Sequence, residues 1–264
     1  MAYWRAIDWR RPWLDPLRAR GERLGAALDE GWPLTEALQA QVEPGRHRLD
    51  AGALRFVPQA ALPAGLAYEA FIARHAAVPT RDNLHDLFNG LAWLTWPQLK
   101  RQLNRLHAAQ IACDGVGARR GPVRDALTLF DENAAWLQAP PALADALARR
   151  DWPALFVARR GAWREVRPVL FGHALLEKLV APRKPITAHV WLVPPGVAAE
   201  PFLVEALTPV RLAARPFLAL PVLGVPGWWP ANADPAFYDD AAVFRPAPVT
   251  PRRNAGGTPP ASCP

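Results

Sequence analysis

Apolar positions recur at helical spacing over 15–29, through Leu17, Leu24 and Leu28, and over 66–76, through Leu66, Ala70 and Phe71. Pro or Gly flanks both stretches, so both read as short packing helices. Residues 82–111 form the longest periodic region. It is interrupted only at Thr95-Trp96-Pro97, where Pro97 suits the first turn of a second helix, and the pattern predicts a helical hairpin. From 126 the period shortens to two. Leu127 and Leu129 alternate with Thr128 and Phe130, and the polar run Asp131-Glu132-Asn133 precedes an apolar 134–137, which predicts a β-hairpin. Further strands are expected at 53–58, 154–158, 166–170 and 186–193, and helices over 141–150 and 171–180. The class is α+β: a helical hairpin packed on a small mixed or antiparallel sheet, as one globular domain over 1–245. Residues 246–264 have no periodicity and too few apolar groups to offset the cost of ordering, so a disordered Pro-rich tail is expected.

With 264 residues, 51% of them apolar, the chain can bury a full core without disulfides or a structural metal. Its net charge of +7 rests on 28 Arg and only 3 Lys, interleaved with acids. RNA association, through this Arg-rich surface and an exposed Trp152 and Trp163, therefore ranks last among the functional readings. The single serine, Ser262, lies in the tail, which excludes a serine-nucleophile hydrolase. Two cysteines, Cys113 and Cys263, build no disulfide framework and suit a reducing compartment. Cys113 falls near an expected helix C-terminus and reads as a buried structural residue. The N-terminus carries a charge every few residues and no apolar run of signal-peptide length, so a cytoplasmic protein is expected. The uncharged window 216–233 holds Pro216, Pro221, Pro226 and Pro230, which a membrane helix does not tolerate, and it reads as a strand and a turn. Gly115, Gly117 and Gly121 follow a helical segment rather than a strand and lack dinucleotide-loop spacing, so they read as a flexible loop.

Three polar constellations need an explanation. In the first, His85 and Asn89 lie four apart beside Asp86, while Lys100, Asn104 and His107 follow one line on the next helix; both lines could border one cleft. In a chain so rich in Arg, a plain solvent face would more naturally carry Arg and Glu than these residues. In the second, Arg124, Thr128 and Glu132 point to one side of an expected strand, and Asp125 and Asp131 to the other. In the third, His173 and Glu177 stand one helical turn apart, followed by His189 on a strand face with Thr187 and Trp191.

The segments 81–107 (RDNLHDLFNGLAWLTWPQLKRQLNRLH), 124–133 (RDALTLFDEN), 171–179 (FGHALLEKL), 184–189 (KPITAH), 220–230 (LPVLGVPGWWP) and 237–246 (FYDDAAVFRP) resemble the bacterial domain-of-unknown-function family numbered 3025. That resemblance covers nearly the whole chain outside the tail. It implies membership but no activity and no catalytic residues. This chain has Ala134 where the resembled pattern has Gly, which argues against a two-residue type I′ turn after Asn133.

The leading functional reading is an enzyme. His85, Asp86, His107, Asp131, Glu132 and His173 would converge on one pocket for hydrolytic or acid–base chemistry, with a divalent metal as the candidate cofactor. Asn89, Lys100, Asn104, Arg124, Glu177 and His189 would bind the ligand. The alternative is a non-catalytic module holding a small anionic molecule in the same cleft, ringed by Arg159, Arg160, Arg164 and Arg167.

Overall fold

A computed structural model describes residues 2–114 and 121–247. Ten α-helices are described: α1 (Arg18–Asp29), α2 (Leu34–Gln39), α3 (Tyr68–His75), α4 (Leu84–Thr95), α5 (Pro97–Asp114), α6 (Pro122–Asn133), α7 (Pro141–Ala148), α8 (His173–Lys178), α9 (Ala199–Ala206) and α10 (Pro209–Ala213). The strands are β1 (Arg48–Leu49), β2 (Gly52–Ala53), β3 (Arg55–Pro58), β4 (Ala77–Thr80), β5 (Ala134–Gln138), β6 (Val169–Leu170), β7 (Thr187–Val193) and β8 (Leu218–Pro221). The fold is α+β, with the long helices α4 and α5 beside small sheets.

The main sheet is mixed, in the order β6-β5-β7-β8. Its centre is the parallel pair β5 and β7, with Trp136 opposite Trp191, and the outer strands run antiparallel. Between α3's flanks, β3 and β4 pair in parallel from Arg55 to Ala77 onward. One hydrophobic cluster runs from Ile7 to Phe244. At its centre the rings of Trp96, Phe130, Trp136, Phe171, Trp191 and Phe217 meet at 5.3–6.2 Å.

The helical pair forms as its periodicity predicts. The Asn83 side chain caps α4 by accepting from Asp86 N at 2.8 Å, and Trp96 leaves helical geometry just before Pro97 opens α5. The hairpin expected from 126 is not there. Residues 122–133 are α6, started by Gly121 and Pro122 with Asp125 in the first turn, and only from Ala134 does the chain extend into β5. Buried Ala126, Leu127 and Phe130 have helical spacing, and the two-residue alternation around Thr128 spans too few positions to decide against it. Ala134 is already extended at φ −83°, ψ 156°, so no two-residue turn follows Asn133.

The strand expected at 154–158 is also absent. Pro153–Ala158 is a turn of π-helix, because a short apolar run such as ALFVA does not distinguish a strand from a buried helix. The strand expected over 166–170 contracts to Val169–Leu170. Trp152 and Trp163 are buried rather than exposed; their indole N–H groups donate to Arg245 O and Leu155 O at 2.7 and 2.9 Å. Cys113 is exposed rather than buried, on the last turn of α5. Within 216–233 the chain forms β8 and short 3-10 turns, and no helix among the described residues is long and apolar enough to cross a membrane. Gly115, Gly117 and most of the expected tail lie outside the described residues.

Candidate functional site

Three helices from distant parts of the chain meet at one point. His85 lies on the first turn of α4, Asp131 and Glu132 on the last turn of α6, and His173 and Glu177 on α8. A close backbone approach sets their register. A Cβ on Gly172 would lie 2.5 Å from the Glu132 carbonyl and the Asn133 nitrogen, so only glycine lets the start of α8 rest on the end of α6. Phe171 N and Gly172 N both donate to Ala134 O at 2.9 Å, locking that junction to the head of β5.

The two imidazoles face each other through their Nε2 atoms, 3.1 Å apart, with rings inclined at 77°. Each turns its other nitrogen toward a carboxylate. His85 Nδ1 donates to Glu177 Oε2 at 2.9 Å, and His173 Nδ1 lies 3.9 Å from Asp131 Oδ2. Glu132 Oε2 completes the group at 3.5 Å from His173 Nε2. One donor atom each from His85, Glu132 and His173 falls within 4.8 Å of the others. His173 is buried, whereas the side chains of His85 and Glu132 each remain 30% exposed, so the cluster opens to solvent on one side. Burial holds the His173 imidazole down to about 3, opposed by the nearby Asp131 charge, and keeps it neutral at physiological pH. Burial, with Asp131 adding to it, pushes the Glu132 carboxyl up.

Behind this cluster lies a second polar group. Lys100 donates to Asp131 Oδ1 at 2.6 Å and to Asn89 Oδ1 at 2.8 Å, while its ammonium sits 5.2 Å over the Trp93 ring. Asn89 in turn donates to the Tyr68 hydroxyl at 3.0 Å. Burial alone would raise the Asp131 carboxyl, yet the Lys100 charge beside it holds it below its ordinary value. Asp131 thus joins the two groups, with one oxygen on Lys100 and the other facing His173.

The remaining sequence candidates divide between this polar interior and other places. Asn104 donates to Glu69 O at 2.9 Å and to Glu69 Oε2 at 2.5 Å. His107 is buried one turn further along α5, and that burial lowers its pKa against the opposing charges of Glu69 and Asp131. Arg124 is buried on α6. Asp86 turns away from the histidines. Its two oxygens accept from Arg81 N, Nε and Nη2 at 2.6, 3.1 and 2.9 Å, which makes it a clamp on the chain entering α4. Asp125, set on the same strand face as Asp131 by the hairpin reading, lies on the outer side of α6 near Arg215. His189 borders a separate cleft of about 510 Å³ with Asn133, Lys178, Arg183 and Thr187.

Arg160, Arg164 and Arg167 do not ring the histidine cluster; they line another cleft, whose walls include none of its residues. Arg159 lines neither. Tyr68 and Glu69 were hidden from sequence reasoning by the apolar stripe of their own helix. Their visible signal was a Tyr-Glu pair at the start of α3, with Glu69 in the first turn.

No curated protein and no solved structure matches the chain. A family model does match, over residues 54–248, about three quarters of the sequence, and its description is "Protein of unknown function (DUF3025)". The matched span includes every residue of the histidine cluster, and the chain belongs to the DUF3025 family.

Proposed function

We propose that His85, His173 and Glu132 bind one divalent metal ion and that the protein is a metal-dependent hydrolase. The apposed Nε2 atoms carry this reading. The Glu177 carboxylate on Nδ1 leaves the neutral His85 imidazole a lone pair at Nε2, 3.1 Å from His173 Nε2, so a proton or a cation lies between the two nitrogens. Donor atoms about 2.1 Å from a tetrahedral zinc ion lie roughly 3.4 Å from one another. The 3.1 and 3.5 Å separations at His173 Nε2 match that spacing.

The carboxylates behind both imidazoles support the same reading, since metal-bound histidines almost always hand their second N–H to such a group. Glu177 does so directly, and Asp131, held by Lys100, is poised to do so. Three protein donors and a side open to solvent leave room for a water molecule, the arrangement of catalytic rather than structural zinc sites. A bound metal would lower that water's pKa to about 7 and polarise an ester or amide carbonyl or a phosphoryl group. Glu132, holding the metal through one oxygen, would keep the other free to accept a proton from that water. Two His and one carboxylate also suit ferrous iron, so the metals tested include both. The same reading has one globular domain over 1–245 acting in the cytoplasm.

Titration of chelator-treated protein with Zn²⁺ and Fe²⁺, followed by assays on activated carboxyl and phosphate esters, tests the proposal. One equivalent should bind and confer turnover. His85→Ala and Glu132→Gln should each weaken binding by about 100-fold or more while changing the stability of the metal-free protein by less than about 1 kcal/mol. Absence of stoichiometric binding overturns the metal site, and binding without turnover on any ester overturns the hydrolase.

A further inference from the structure

A second site lies outside the histidine cluster. Arg160, Arg164 and Arg167 converge on a cleft of about 450 Å³, whose apolar side is formed by Trp163, Val166 and Trp228. No Asp or Glu lines it.

The partners of these arginines are what make the cleft unusual. Arg160 is held in place entirely by neutral groups: Nη1 donates to Asn232 O at 2.9 Å and Tyr238 OH at 3.3 Å, and Nη2 to Asn232 Oδ1 at 3.2 Å. Asn232 is itself fixed in the interior, donating to Leu223 O and Val225 O at 2.9 and 2.7 Å. The protein thus orders a guanidinium without neutralising it. Among the described residues no carboxylate pairs with Arg164, and Arg167 has only Asp15 at 3.7 Å, whose other oxygen is already bound by Arg18. Three positive charges that share one weak counter-ion attract an anion of more than one charge, and guanidinium forks match phosphate oxygens in pairs.

We propose that this cleft binds the phosphate or diphosphate end of a small molecule. Its volume lies in the range of small-molecule sites, roughly 300–1,000 Å³. The charges converge on one cavity instead of following a track, which favours a compact ligand over a nucleic-acid backbone. Pro12 and Pro226, half-buried in the lining, supply apolar surface for the uncharged remainder of the ligand, and Arg160, already ordered, loses little freedom on binding.

Calorimetric titration of the full chain with pyrophosphate, with citrate as the carboxylate arm, tests this. Pyrophosphate should bind saturably at one site and more tightly than citrate. The exposed pair Arg164→Gln/Arg167→Gln, whose one ion pair is the exposed contact of Arg167 with Asp15, should weaken it by about tenfold or more. Arg160→Lys, which keeps the charge and removes the fork, should weaken it as well, and His85→Ala should leave it unchanged, separating this site from the metal reading. No saturable binding, equal binding by the double variant, or citrate preferred over pyrophosphate would overturn the proposal. So would RNA that binds more tightly than pyrophosphate and is lost in the same double variant.

Discussion

Around Lys100 the polar groups have found one another: Asp131, Asn89 and Tyr68 are joined through it in an unbroken series of hydrogen bonds. Around His85 and His173 the donor atoms instead converge on one another: two ring nitrogens stand 3.1 Å apart with a carboxylate oxygen 3.5 Å from one of them, and the buried His173 Nδ1 has no hydrogen-bond partner. Both groups draw on the same helices, α4 and α6. The difference teaches that compact polar residues on a helix face can be framework or donor set, and that what separates them is whether their hydrogen-bonding atoms are all used by the protein or gather as like donor atoms at one point.

The framework side should break hardest. Lys100→Met leaves the buried Asp131 carboxylate without its counter-charge and should cost about 3–5 kcal/mol in denaturant unfolding. A loss below about 1 kcal/mol would mean that the Lys100–Asp131 pair is not the brace described. The seam between the two groups should come next. Gly172→Ala pushes a methyl into the Glu132 backbone, which overpacking puts at about 1–3 kcal/mol, and it should also displace His173 from Glu132 and abolish metal uptake. Unchanged metal affinity in that variant would show that the α6–α8 contact does not set the donor spacing.

A smaller effect sharpens what buried histidines do when no second imidazole faces them. His47 accepts from Glu43 N at 2.8 Å and donates to Leu94 O at 2.9 Å, and burial lowers its pKa below the ordinary 6.5, as it does for His107. Below pH 6.5 the unfolded chain gains protons that the folded chain refuses. Stability from these residues is therefore complete above that pH and falls as the pH drops through it, by up to about 1.4 kcal/mol per pH unit for each histidine. Urea unfolding between about pH 8 and 5 should show this slope, and His47→Gln should make it shallower by the His47 share while the other buried histidines keep theirs. A slope unchanged by His47→Gln would contradict the assignment.

Legibility in the sequence followed the length of each pattern. The α4–α5 pair spans enough turns for its period to be read, and its break at Trp96-Pro97 is local chemistry. The α6 stretch was misread because Leu127, Thr128, Leu129 and Phe130 satisfy both periods over four residues, and only its Gly121-Pro122 start argued for a helix. The polar residues stood out by type, since few belong in an Arg-rich surface, but their partners did not. His85 meets His173 across 88 positions, and Asp86, its neighbour in sequence, turns to Arg81 instead. Side-chain direction at a helix start depends on the cap and on the helix packed against it, neither of which a single sequence displays. The same ignorance of tertiary packing set His189 with His173, and exposed Trp163 to solvent, where the structure does neither.

The proposed metal site rests on the apposed Nε2 atoms of His85 and His173. Crystals of the zinc-loaded protein, measured at the zinc absorption edge, would locate the ion directly. One anomalous peak is expected within about 2.0–2.2 Å of His85 Nε2, His173 Nε2 and a Glu132 carboxylate oxygen, with Glu177 still on His85 Nδ1 and Asp131 drawn onto His173 Nδ1. A peak held by other residues, or full-occupancy crystals with no peak between the histidines, would contradict it.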